Sequence, residues 1–278
     1  DTTGYLVFPP RFHEVLEAGV QIHDEIQEDP ALVFRMDIYT NIERQWYLSA
    51  TPYNGSKYTT NMISVMLPDE CQVPTPDLDV YITCLAVVYS DPTLVNKDFM
   101  NPFKKTYSQV RYEQNILRRP KRKDAYFDMV VRMVRGLFLK DQEEGQKMLI
   151  LCATVEMIEV LTEHLQDTFP EKTINLHVSK SPFERLETND ITVSTIKSTG
   201  AGVDISNLRE VLLLHATDSK KDNIQVLGRL RRMKDYPDVT PRLTYVVCEH
   251  IPRHIIYHRH KTEVLGNRVL NLKTARFT

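Results

Sequence analysis

Between residues 125 and 265 the chain alternates short apolar runs with segments of helical spacing, and this alternation narrows the possible folds more than any other feature. Met148 to Cys152, Val211 to Leu214 and the run into Cys248 read as strands. The spacing predicts helix 125–139, strand 147–152, helix 155–168 opened by Thr154 and closed near Pro170, and strands 174–178, 191–195 and 210–214. Helix 222–233, strand 243–248 and helix 252–265 follow. Strands separated in this way by helices build a mainly parallel sheet with helices on both faces, so the fold class is α/β.

The amino-terminal part carries fewer elements. Phe12, Val15 and Leu16 have helical spacing and Gly19 stops it, after which Val20 and Ile22 alternate into Asp24-Glu25. Asp29-Pro30 caps a helix reaching about Thr40, and Trp46-Tyr47-Leu48 is a strand that empties into Ser49-Ala50-Thr51-Pro52. Residues 68–79, with Pro68, Pro74, Pro76 and several acids, form a linker before a strand from about Val80 to Tyr89. The expected domains are 1–76 and 77–278.

Composition excludes several classes. At 42% hydrophobic and 26% charged over 278 residues, the sequence is neither collagenous nor disordered. Its apolar runs fall far short of the ~20 residues a membrane span needs, and no signal peptide is visible. Cys71, Cys84, Cys152 and Cys248 are widely spaced, which suits reduced thiols in a cytoplasm. The net charge of −2 hides an uneven distribution. From Lys104 to Lys123 the bases Lys104, Lys105, Arg111, Arg118, Arg119, Lys121, Arg122 and Lys123 meet one acid, Glu113, and are interleaved with Phe103, Tyr107 and Tyr112. A second basic cluster runs from Lys220 to Lys234. Each is either a solvated face or a nucleic-acid footprint.

Four short motifs carry chemistry. Asp24-Glu25-Ile26-Gln27 puts two carboxylates at a strand end, where one can hold Mg²⁺ and the other polarise an attacking water. Taken alone, surface acids are the plainer reading. In the helix expected over 222–233, Gln225, Arg229 and Arg232 stand at i, i+4 and i+7, a single stripe suited to phosphate oxygens. The strand ending at Ser194 opens into Thr195-Ile196-Lys197-Ser198-Thr199-Gly200-Ala201-Gly202-Val203-Asp204-Ile205. Its small residues admit a phosphate, and Asp204 suits a ribose hydroxyl. Thr154, at a strand-to-helix junction, offers amides to an anion or is a plain helix cap.

In this order, D-E-I-Q at 24–27, S-A-T-P at 49–52, S-T-I-K-S-T-G-A-G-V-D-I at 194–205 and Q-V-L-G-R-L-R-R at 225–232 resemble motifs II, III, V and VI of the superfamily 2 helicases and translocases. Gln27 replaces the commoner His of motif II. The resemblance, over about residues 10 to 250, implies two RecA-like lobes, the first partial and the second complete, with ATP and Mg²⁺ between them. It implies that Asp24 binds Mg²⁺, that Glu25 is the general base and that Gln27 contacts the nucleotide. Gln225 senses the γ-phosphate, Arg229 and Arg232 act as arginine fingers, and Gly202 and Asp204 face the nucleotide. Ser49 and Thr51 couple hydrolysis to strand movement. Thr154, Thr195 and Ser198, with Lys121 and Arg122 from the basic stretch, contact the nucleic-acid backbone.

A G-x-x-x-x-G-K-[ST] phosphate loop belongs upstream of motif II in such enzymes, and no such run occurs here. Asn54-Gly55-Ser56-Lys57 is too short and follows Asp24. The expectation is that the rest of lobe one lies on a separate or missing segment, and that the isolated chain does not hydrolyse ATP. Only Val178 to Asp190 separate His177 from Ile191. That short link and the Tyr- and Arg-rich stretch from Thr106 to Arg122 resemble the phage UvsW-type branch-migration helicases, which makes forked or branched DNA the expected partner ahead of RNA. The alternatives are an RNA helicase and a non-catalytic nucleic-acid-binding module with a helicase-lobe fold. Finally, His254 and His258 have zinc spacing on a helix, although a solvated or DNA-facing helix is the plainer reading.

Overall fold

In the computed structural model, the residues described are 17–40, 42–49, 57–73, 79–178, 184–198 and 204–277. The chain divides into two compact units, Asp1–Asp77 and Leu78–Thr278. The segment with helical spacing at Phe12, Val15 and Leu16 lies outside the described residues.

In the first unit, β1 (Val20–His23) and β2 (Arg44–Tyr47) pair in parallel, with Ile22 opposite Trp46 and His23 opposite Tyr47. Between them runs α1 (Pro30–Asp37), whose first turn is capped by the Asp29 carboxylate accepting from the Leu32 amide at 3.0 Å. Pro30 at its start has no N–H to leave unsatisfied. The second helix, α2 (Lys57–Met66), follows.

The second unit is built on seven strands: β3 (Thr83–Tyr89), β4 (Lys147–Cys152), β5 (Ile174–His177), β6 (Ile191–Thr195), β7 (Leu208–Leu213), β8 (Arg242–Cys248) and β9 (Asn271–Arg276). They lie in the order β5-β6-β4-β7-β8-β3-β9, and every pairing is parallel. The period-2 alternation of side chains divides each strand between two cores. Met148, Ile150 and Cys152 face one side, against α3 (Gln109–Arg118), α4 (Pro120–Leu137) and α5 (Val155–Thr168). Leu149 and Leu151 face the other, with α6 (Glu184–Thr188), α7 (Lys220–Leu227) and α8 (Pro252–Leu265). The layered parallel sheet expected from the alternation is therefore present.

Three expectations need correction. Helix α7 stops at Leu227, not near residue 233, because Gly228 forms its cap and tighter turns follow. Those turns bury Leu230 and Met233. The 109–118 segment is a core-packed helix, with Tyr112 and Ile116 in the interior. Helix α8 is a solvated face only on one side, where Arg253, Arg259 and His260 are exposed, since His254, Lys261 and Leu265 on the other are buried. His254 receives the Cys248 amide on Nδ1 at 3.1 Å and meets the Tyr107 hydroxyl at 2.6 Å, and His258 meets Tyr245 at 2.7 Å. Among the described residues no group of three or more candidate ligands could hold a metal ion. No described helix is long and apolar enough to cross a membrane.

Candidate nucleotide and nucleic-acid site

In the first unit the chain leaves β1 through Asp24 and Glu25. The turn is tied to the end of β2 by Leu48 N–H donating to the His23 carbonyl at 2.8 Å and Ile26 N–H to the Leu48 carbonyl at 3.2 Å. Asp24 is exposed, and its carboxylate accepts the Glu25 amide at 2.9 Å. Glu25 has φ +55°, a left-handed conformation strained for a residue with a Cβ. The Gln27 side-chain amide donates to the Glu25 carboxylate, and its oxygen accepts from the Ser49 hydroxyl. A carboxylate can only accept, so the amide nitrogen must face Glu25 and the oxygen is left for Ser49. Gln27 therefore joins the 24–27 and 49–52 runs directly.

Beneath this turn, Asp37 accepts from Tyr47 at 2.5 Å and lies 3.1 Å from His23, which stacks on Tyr47 at 5.3 Å. Burial, reinforced by Asp37, holds the Tyr47 hydroxyl above its ordinary range, so it remains a donor. Thr51 lies outside the described residues.

In the second unit the predicted residues separate to two ends of the sheet. Register places Cys152 opposite Thr195 and Leu151 opposite Leu213, so the turns after β4, β6 and β7 share the carboxyl edge, the usual ligand edge of a parallel sheet. There the Thr195 hydroxyl accepts the Ser198 amide at 2.9 Å and donates to the Ser198 hydroxyl at 2.8 Å, forming a compact turn.

Thr154 on the same edge caps α5 through the Met157 amide at 3.2 Å. Its own amide and hydroxyl both donate to the Glu113 carboxylate at 2.8 Å, and the Ala153 amide donates at 2.9 Å. These donors are thus already committed to an internal anion. Glu113 is 1% exposed, and burial raises its pKa against the opposing effect of those bonds. It is the one acid in a basic stretch, which was the available sequence signal for a special role.

The opposite edge gathers Asp204 and the arginines that follow α7. Asp204 pairs with Arg231 at 3.3 Å, and both are well exposed. Arg232 binds Asp79 through two bonds of 2.8 and 2.7 Å and lies over the Tyr81 ring. The bidentate bond holds the Asp79 carboxylate below its usual range. Arg229 is 8% exposed and Gln225 is half-buried. With α7 ending at Leu227, the expected stripe of Gln225, Arg229 and Arg232 does not form. Asp79 was missed because it belongs to no motif, and Arg231 because it lies in the 225–232 run off the spacing of Gln225, Arg229 and Arg232. Gly202 lies outside the described residues.

The basic stretch is corrected at one position. Lys121 is exposed, but Arg122 is buried and ion-paired with Asp91 at 2.9 Å and Asp98 at 3.2 Å, and it donates to Thr93 at 2.8 Å. A guanidinium so enclosed is not offered to a nucleic acid. Tyr107 and Tyr112 likewise pack inside, leaving Phe103 as the exposed ring of the three.

The model of the helicase conserved C-terminal domain matches residues 127–234. No curated protein matches the sequence. Among solved structures, a fragment assigned to the HsdR subunit of a type I restriction enzyme from Vibrio vulnificus is similar, with TM-score 0.59 at 11% identity over 93% of this chain and 57% of that one. A point variant of Saccharomyces cerevisiae Dbp5 bound to RNA and ADP BeF3 is similar at TM-score 0.57 and 13% identity, over 92% of this chain and 59% of that one. T4 UvsW matches at TM-score 0.47 and 10% identity, over 97% and 56% of the two chains, too low a likeness to favour that type over the others. The chain thus spans just under three fifths of the length of these structures. Residues 127–234 are thus similar in sequence to the helicase conserved C-terminal domain, and the parallel sheet of the second unit has the RecA-like fold of a helicase C-terminal lobe.

Proposed function

We propose that the chain is the motor part of an ATP-dependent superfamily 2 helicase or translocase that acts on forked or branched DNA. The observation that carries this reading is the bond relay from Ser49 through Gln27 to Glu25, which links two short motifs 22 residues apart in the way a coupled ATPase requires. A surface pair of acids has no use for such a relay or for a strained φ at Glu25.

In this reading ATP and Mg²⁺, when bound, supply the phosphoryl group and the cation that offsets its charge. Asp24, exposed and beside Glu25, suits a Mg²⁺ that keeps most of its waters, since such ions take only one or two protein carboxylates. Glu25 accepts a proton from the attacking water, and Gln27 holds its carboxylate in line. Displacement of Ser49 would reach Glu25 through the amide. Asp204, Gln225, Arg229 and Arg232 serve the nucleotide, with Arg232 first released from Asp79. That release costs little, because both partners of the pair are exposed to solvent. Thr195 and Ser198 on the carboxyl edge, with Lys121, meet the nucleic-acid backbone. The short link before β6, with the small helix α6 among its described residues, favours a branched substrate.

No G-x-x-x-x-G-K-[ST] run lies among the 278 residues, so turnover is to be assayed with such a loop supplied by a lobe-one segment. Glu25→Gln is expected to lower kcat by about 10²–10⁴-fold with oligonucleotide affinity nearly unchanged. Ser49→Ala should lower DNA-stimulated turnover more than basal turnover. Equal loss of binding and turnover in Glu25→Gln would make that acid structural, and stimulation by RNA but not by forks would remove DNA as the substrate.

A further inference from the structure

The run Asn101-Pro102-Phe103-Lys104-Lys105-Thr106 is not used by any motif. It forms the tip of a short hairpin closed by the antiparallel bridge between Met100 and Tyr107 and by Asn101 N–H donating to the Thr106 carbonyl at 2.7 Å. The Asn101 side-chain oxygen accepts the amides of Phe103 and Lys104 at 2.9 and 3.1 Å, and Lys105 takes φ +49°. The tip is therefore built by specific bonds and held in a strained conformation.

Its aromatic residues are divided sharply. Phe99 at the base is 4% exposed and packs near Tyr107, whereas Phe103 at the tip is 93% exposed. A rigid apolar ring left in water at the end of an ordered turn has nothing to do for the fold. Lys104 and Lys105 beside it are exposed, and no acid occurs between Asp98 and Glu113.

The hairpin also stands at an informative place. It leads directly into α3, where Gln109 accepts the Ala216 amide at 3.2 Å beyond β7 and Glu113 holds the Ala153 and Thr154 amides beyond β4. The hairpin thus joins the sheet at the carboxyl edge, the one that bears Thr195 and Ser198.

We infer that this hairpin tip is a stacking pin for single-stranded nucleic acid. Phe103 packs against an unpaired base, and Lys104 and Lys105 pair with the adjoining phosphates. The inference rests on the proposal that this edge meets nucleic acid, and it adds a contact to the bases themselves. Because every base has a π-face, the contact is indifferent to sequence and selects unpaired over paired strands.

The test uses the 278-residue chain and a fluorescein-labelled oligothymidine read by anisotropy. Phe103→Ala is expected to weaken binding about tenfold and to melt with the parent, since the ring makes no core contact. Replacing Lys104 and Lys105 together by Ala should lower the slope of log affinity against log salt by about 1.4. Phe103→Trp should restore affinity and show quenching on binding that the parent, with Trp46 alone, does not. Unchanged affinity in Phe103→Ala, with no quenching in Phe103→Trp, would overturn the pin while leaving the edge as a nucleic-acid surface. A parent chain that does not bind the oligonucleotide would overturn both.

Discussion

Arg122 and Lys121 are neighbours in sequence with opposite physical situations. Arg122 is enclosed with Asp98, whose side chain is 1% exposed and keeps Arg119 as a second ion-pair partner, so Arg122→Ala removes one charged hydrogen-bond donor from a buried cluster and should cost about 1.5–3 kcal/mol in denaturant unfolding. Lys121→Ala should stay within about 0.5 kcal/mol of the parent. The sequence could not separate them, because charge is read from residue type whereas its use depends on what surrounds it. His254 gives a second case. Burial, with Lys261 nearby, lowers its pKa to about 3, and Nδ1 already accepts the Cys248 amide, so a proton has no place there. The unfolded chain takes up that proton near pH 6.5 and the folded chain does not. The stability due to neutral His254 is therefore full above about pH 6.5 and is lost as pH falls toward 3. A melting temperature that fails to drop between about pH 6.5 and 4.5 would contradict this.

Among the elements, β4, α5, β6 and α8 match the expected ranges because each has an apolar period and a clear terminator, such as Thr154 before α5 or Pro252 at the start of α8. Helix α7 departs from its expected range because the heptad-like spacing of Arg229 and Arg232 continues past Gly228 while the backbone does not. Motif spacing fixed the order of those arginines, but Arg232 takes its direction from Asp79 and Tyr81, and the neighbouring Arg231 from Asp204, all of which lie outside the helix. Helix α3 adds an element the basic stretch concealed. Its Glu113 supplies the acceptor for three donors at the start of α5. Glu113→Ala is expected to cost about 3 kcal/mol in stability, since each buried donor left unpaired costs about 1–3 kcal/mol. A loss no larger than that of an ordinary surface substitution would show that the 153–154 turn holds without it.

On the scale of the whole molecule, the second unit carries a core on each face of its sheet, drawn from strands and helices within Leu78–Thr278. Residues 79–278 alone are therefore expected to unfold in one cooperative transition by circular dichroism, and a broad, noncooperative melt would contradict that expectation. The parallel sheet also separates two chemistries. Thr195 and Ser198 lie at the carboxyl edge, and Asp204, Arg231 and Arg232 gather at the edge where β7, β8 and β3 begin. On the proposed function, residues so placed would serve nucleic acid and nucleotide without competing for one surface.

The sequence by itself determined the α/β alternation, the strand and helix order and the identity of the short motifs, because periodicity and capping act over a few neighbouring residues. Tertiary structure alone decided which charges are exposed, where α7 ends, that Glu113 occupies the Thr154 turn and that Phe103 stands bare. Each of these depends on groups brought together from distant positions, such as Asp79 with Arg232 or Asp98 with Arg122. Burial and pairing are properties of that assembled environment, which no local pattern in the chain encodes.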